Sequence, residues 1–112
     1  MAYDEATAER VRDILAIHGD ELAERKMFGG VAWMLRGNMA CGMLGDDLLV
    51  RVHPEDYERA LAEPGARVFD FTGRVARNVV VVSGERLADD EELAGWVETG
   101  VAYALSLPPK RK

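Results

Sequence analysis

Nucleophilic, acid–base or metal chemistry in this chain would have to come from two histidines, one cysteine and two serines, and their spacing leaves little for any of them to do. His18 falls on the apolar stripe of the first helix, where a paired structural histidine is the simpler reading than a ligand. His53 precedes Pro54 at a strand end, a good capping position. Neither has a second ligand at metal-binding spacing. Cys41 sits in the middle of a strand and is expected on its core face, as an inert buried thiol and not a low-pKa nucleophile. Ser83 and Ser106 lie in no nucleophile-elbow frame, and Gly29-Gly30 lacks the lysine and spacing of a phosphate loop. The carboxylates Asp89-Asp90-Glu91-Glu92 suit a helix start better than a metal. The sequence therefore predicts no catalytic residues, no metal and no cofactor.

Totals narrow the choice further. The 112 residues carry 20 acidic and 14 basic side chains, a net charge of −6. An acidic domain is repelled by phosphate backbones, so direct nucleic-acid contact is disfavoured. The counter-signals are the Lys110-Arg111-Lys112 tail and a possible basic patch of Arg25, Lys26, Arg67, Arg74 and Arg77. One cysteine excludes an intrachain disulfide and fits a reducing compartment. There is no basic-then-apolar start and no apolar run of membrane length. The expectation is one domain over residues 1–107 with a basic tail at 108–112, in the cytoplasm and away from membranes.

These residues would be positioned by eight elements. A helix from Asp4 to His18 starts at a capping aspartate and ends at Gly19. A long strand, Leu22 to Arg36, is interrupted by Gly29-Gly30, which would kink it so that each half meets a different neighbour. Gly37-Asn38 and Gly45-Asp46 are hairpin turns, and Asp47–Val52 completes a meander. Pro54 opens a second helix. Strands at Arg67–Phe71 and Asn78–Ser83 follow, the latter with four consecutive valines that mark it as central. A capping-box-like Asp89…Glu92 opens the last helix, which Pro108 ends. The order α-β(3)-α-β(2)-α describes an α+β two-layer domain with a mostly antiparallel sheet.

With Gly37-Asn38 as the turn, Trp33 opposes Gly42, and its ring would shield that glycine. One face then collects Ala32, Met34, Met39, Cys41, Met43, Leu48, Val50 and Val52 under the helices. The other collects Val31, Trp33, Leu35, Ala40, Gly42, Leu44, Leu49 and Arg51. Either a partner or the chain's own helix or loop must cover this second apolar face. Trp33, Leu35, Leu49 and Arg51 are its candidate interface residues, since tryptophan and arginine dominate interface hot spots.

The run Met27-Phe28-Gly29-Gly30, followed by Val31-Ala32-Trp33-Met34, resembles the TfoX/Sxy N-terminal domain family. Further agreement comes from Gly37-Asn38-Met39, Gly45-Asp46-Asp47-Leu48, Leu49-Val50-Arg51-Val52, Asp70-Phe71-Thr72-Gly73-Arg74 and Ser106-Leu107-Pro108-Pro109-Lys110. The resemblance covers nearly the whole chain. It implies a secretion-chaperone-like α+β fold and a role around regulation of bacterial competence, and it supplies no catalytic residues. Longer members of the family carry a second, C-terminal domain.

Three functional readings follow. The first is a non-enzymatic regulatory module that binds a protein partner or a second copy of itself. The second is a small-ligand binder or enzyme with a pocket at Gly29, Gly30, Arg51 and His53. The third is a weak nucleic-acid binder that uses the basic tail.

Overall fold

The computed structural model describes residues 3–27, 29–71 and 73–109. Helix α1 (Glu5–Leu15) starts where Asp4 accepts hydrogen bonds from the Ala6 N–H at 3.3 Å and the Thr7 hydroxyl at 2.7 Å. It ends three residues earlier than its apolar spacing suggests. A 3-10 segment, Ala16–Glu21, carries the chain around Gly19, whose φ is 55°. Strands β1 (Leu22–Met27), β2 (Gly30–Leu35), β3 (Asn38–Leu44) and β4 (Asp47–Arg51) follow. Pro54–Asp56 forms a 3-10 turn that leads into the short helix α2 (Tyr57–Leu61). Then come β5 (Ala66–Phe71), β6 (Arg74–Val82) and the long helix α3 (Asp90–Ser106).

The strands make one six-stranded sheet in the order β1-β2-β3-β4-β6-β5, and every pairing between them is antiparallel. The α+β architecture agrees with the expectation, and two details of its first half differ. Gly29-Gly30 does not kink a continuous strand. The chain reverses there, because Met27 pairs with Gly30 and β1 folds back on β2 alone. Gly29 supplies the positive φ of the turn, 82°. Gly30 is needed for a different reason: a Cβ there would lie 2.0 Å from the Met43 carbonyl oxygen. Phe28 of the same motif lies outside the described residues.

The second difference is the β2–β3 register. The turn is Arg36-Gly37, not Gly37-Asn38, with φ of 53° and 84°. The unusual positive φ of Arg36 is supported by its N–H bonding the Glu21 carbonyl at 3.0 Å and its guanidinium meeting the Glu21 carboxylate at 2.9 Å. Asn38 is used elsewhere, since its side-chain amide donates to the Pro108 carbonyl at 3.0 Å. Trp33 now opposes Cys41 and Met34 opposes Met39, which leaves Ala40 as the extra residue of a bulge. Because the side-chain period is two, this shift sends Trp33 to the helix side.

The core therefore joins Val31, Trp33, Cys41, Met43, Leu48, Val50, Val52, Val80 and Val82 of the sheet to Ala8, Val11 and Leu15 of α1 and Leu93, Trp96 and Val97 of α3. Helix α3 approaches so closely that a Cβ on Gly100 would stand 2.1 Å from the Ala40 carbonyl oxygen. The β3–β4 register is as expected, with Met43 opposite Leu48 and Cys41 opposite Val50. β6 is paired on both sides, and its four consecutive valines, 79 to 82, are all buried.

A polar network ties α1 to β1 and β2. The Trp33 indole N–H donates to Glu24 at 2.8 Å, directly across the strand pair. The Arg12 guanidinium bonds both oxygens of the same carboxylate, at 2.8 and 3.0 Å, and also reaches Glu5 at 2.7 Å. These hydrogen bonds raise the Arg12 pKa, and Arg12, then the indole, lowers that of Glu24 against the opposing effect of burial.

Two outcomes are expected. Gly100→Ala forces α3 off β3 and should cost about 1–3 kcal/mol of stability, read as a lower urea midpoint. Glu24 has a folded pKa below its ordinary 4.5, so its stabilisation is complete above that pH and lost as pH falls through the lowered value. The side chain is well exposed, so the effect should stay below about 1 kcal/mol. Urea midpoints of wild type and Glu24→Gln should differ at pH 7 and draw together as the pH falls below 4.5. A constant gap across that range would exclude the ionic contribution.

Candidate functional site

The residues expected to form an exposed interface do not form one. Trp33 and Leu35 are 0% exposed and Leu49 is 1% exposed. The bulge at Ala40 turns Trp33 under the helices, and Leu35 packs with Ala40 and Ala104 of α3. Leu49 does lie on the second face, but Val79 and Val81 bury it there together with Met39, Leu44, Phe69 and Ala76. The second face is therefore largely closed by the chain itself. Gly42 opposes Ala32, so Trp33 does not shield it as expected.

The proposed ligand pocket is also not assembled. Gly30 sits beside Met43 and Leu44, at the Asp47 end of β4, whereas Arg51 ends that strand four residues later. At the rise of a strand that is about 13 Å. Arg51 and His53 do meet, around Tyr103 of α3. The Arg51 guanidinium lies 4.9 Å from the Tyr103 ring centroid and donates to its hydroxyl at 3.3 Å. The His53 ring meets the same ring edge-on at 5.0 Å. His53 makes no side-chain capping bond. This cation–aromatic packing fastens the end of β4 to α3.

The remaining expectations sort themselves by geometry. Cys41 is buried in the core and its thiol is pushed up to about 12, which makes it a poor nucleophile. His18 sits in the 3-10 segment after α1, not on its stripe. The Asp89 carboxylate accepts the Glu91 N–H at 2.9 Å, a helix cap as expected. Arg25 and Lys26 lie on β1 and Arg67 on β5, at opposite edges of the sheet, so the basic patch does not assemble. Lys110-Arg111-Lys112 and Thr72 lie outside the described residues.

The feature that sequence reasoning missed is a groove of about 540 Å³ between α2 and α3. Val52, Ala60 and Trp96 line it along with Gly95 and Thr99. Five carboxylates, Asp56, Glu63, Asp89, Glu91 and Glu92, border it against one guanidinium, Arg59. Asp56 is paired with Arg59, and Glu92 with Arg86 at 2.6 Å. The side chains of Glu63 and Glu91 have no ion-pair or hydrogen-bond partner among the described residues. Gly95 is notable because a Cβ there would meet nothing within 4 Å. A mid-helix glycine costs about 1 kcal/mol relative to alanine, and nothing inside the fold requires it at this position. The available signal was the recurrence of acids at 56, 63 and 89–92, which sequence alone assigns to the two ends of one helix and the start of another.

Three helices back one face of an antiparallel sheet, and the chemistry-bearing residues are buried or scattered. This defines a small α+β domain with a surface groove between α2 and α3. The chain belongs to the TfoX N-terminal domain family, whose model matches residues 13–104. Comparison with curated proteins finds no match.

Gly95→Ala adds a methyl group to open space on a helix surface. It should raise stability by about 0.5–1 kcal/mol, seen as a higher melting temperature. A fall would mean that the position is constrained from within.

Proposed function

We propose that this domain is a non-catalytic regulatory module that works by holding another protein, and that the groove between α2 and α3 is the contact surface. The groove carries the reading, because it combines an apolar floor at Val52, Ala60 and Trp96 with carboxylates at its border. Apolar centres with polar rims are how protein contacts are built. Membership of the TfoX N-terminal domain family supports a regulatory role, and competence is the process that this kinship suggests. The buried thiol of Cys41 and the separation of Gly29-Gly30 from Arg51-His53 weigh against catalysis or a small-ligand pocket at those residues. The net charge of −6 weighs against nucleic acid.

A photo-crosslinking amino acid placed at Thr99, in the groove, should capture one protein species in cells of the native host. The same group at Arg25, on the exposed edge of β1, should not. Equal capture at both positions, or none at Thr99, would remove the groove as the contact surface.

A further inference from the structure

The groove's own chemistry says more about its occupant, and the inference rests on the reading just given. We propose that the groove takes a basic, arginine- or lysine-bearing peptide segment of a partner, with an apolar side chain set on the floor between the cations. Three observations converge on this class of ligand.

The first is charge. The lining places five carboxylates around the cavity and only one cation among them. Two of the carboxylates, Asp56 and Glu92, are already neutralised by Arg59 and Arg86, and Asp89 is engaged as the helix cap. Glu63 and Glu91 remain with no side-chain partner among the described residues, one two residues past α2 and one in the first turn of α3. They are the carboxylates free to receive an incoming cation.

The second is the floor. Trp96 is 9% exposed and lines the cavity along with Val52 and Ala60. The small part of the indole left open adds apolar surface on which an incoming apolar side chain can rest.

The third is Gly95. Gly100, one and a half turns further on, is explained by the backbone of β3 pressing on it, whereas Gly95 has open space where a side chain would stand. Leaving that space empty lets another backbone come close to the helix surface. A free polyamine could lay its methylenes on the apolar floor but has no backbone to bring up to Gly95, so a peptide is the better match.

The test uses the full chain and a fluorescein-labelled octapeptide of alternating arginine and leucine, followed by anisotropy. An octapeptide of alternating glutamate and leucine is the control. Binding of the basic peptide only, weakening as salt rises from 50 to 300 mM, is expected. Glu63→Gln and Glu91→Gln should each weaken it about threefold, the size of a rim charge contact. Both are exposed, uncapped carboxylates, so circular dichroism should show the variants folded. Gly95→Ala should weaken binding more strongly while raising the melting temperature, a combination that a damaged fold does not produce. Affinity unchanged in all three variants would place the peptide elsewhere and overturn the proposal. Spermine displacing the peptide at equal concentration, with affinity insensitive to Gly95→Ala, would overturn the peptide assignment in favour of a simple polycation site. Capture of a partner through Thr99 without any binding of the basic peptide would leave the groove as the contact surface and remove the basic segment as its occupant.

Discussion

The register between β2 and β3 is the constraint on which the rest of this molecule depends. One extra residue, Ala40, lets Trp33 face Cys41 and the helices. A tryptophan side chain buries roughly 150–250 Å². At about 25 cal/mol per Å², turning it outward would forfeit roughly 4–6 kcal/mol, comparable to the net stability of a domain this size. The same bulge brings the Ala40 carbonyl up to α3, so the helix can sit there only where it carries Gly100. Hydrogen bonding supports the register from the other side. Glu24, opposite Trp33, takes the indole N–H and passes the contact on to Arg12 of α1. Both long helices are thus held through the consequences of one inserted alanine.

The closing of the second face has a separate cause. Between Val68 and Phe69 the β5–β6 pairing slips, with Val68 opposite Val80 but Phe69 opposite Ala76. The unpaired stretch of β6 includes Asn78, at a φ of 66°. Such insertions bend a strand and increase its twist. Phe69 and Ala76 then pack on Leu49, Val79 and Val81. Six strands with one face under helices would otherwise expose an apolar sheet of the kind that invites a partner. What remains exposed at this end is modest, with Val68 and Val75 about half open.

Much of this was legible in the sequence, and the failures have physical reasons. The Asp4 and Asp89 caps and the buried valines of β6 follow from local chemistry, and the β3–β4 register follows from a Gly-Asp turn between alternating residues. Gly37-Asn38 carries an equally good turn signal, yet Arg36 took the strained position because Glu21 supports it and Asn38 was needed by Pro108. Those two contacts span 15 and 70 residues, beyond the reach of any local pattern. The Met27–Gly30 motif was visible as a backbone requirement, but whether it kinks or reverses a strand depends on what lies beside it. The groove was not legible at all. Its carboxylates flank α2 and open α3, more than 25 positions apart between Glu63 and Asp89, and only the packed fold places them together.

Helix α3 shows how one element serves two surfaces. Along its inner side Leu93, Trp96 and Val97 join the core, and Gly100 lets the helix approach the Ala40 backbone. Along the groove, Gly95 has open space where a Cβ would stand, and the Thr99 hydroxyl donates to the Gly95 carbonyl at 2.9 Å. Trp96 belongs to both, as core residue and as groove floor. A helix selected only for packing would carry alanine in place of Gly95, gaining helix propensity at no steric cost. The glycine with a packing reason stands at the core and the less stable residue stands at the groove, so the two sides of this helix are set by different constraints.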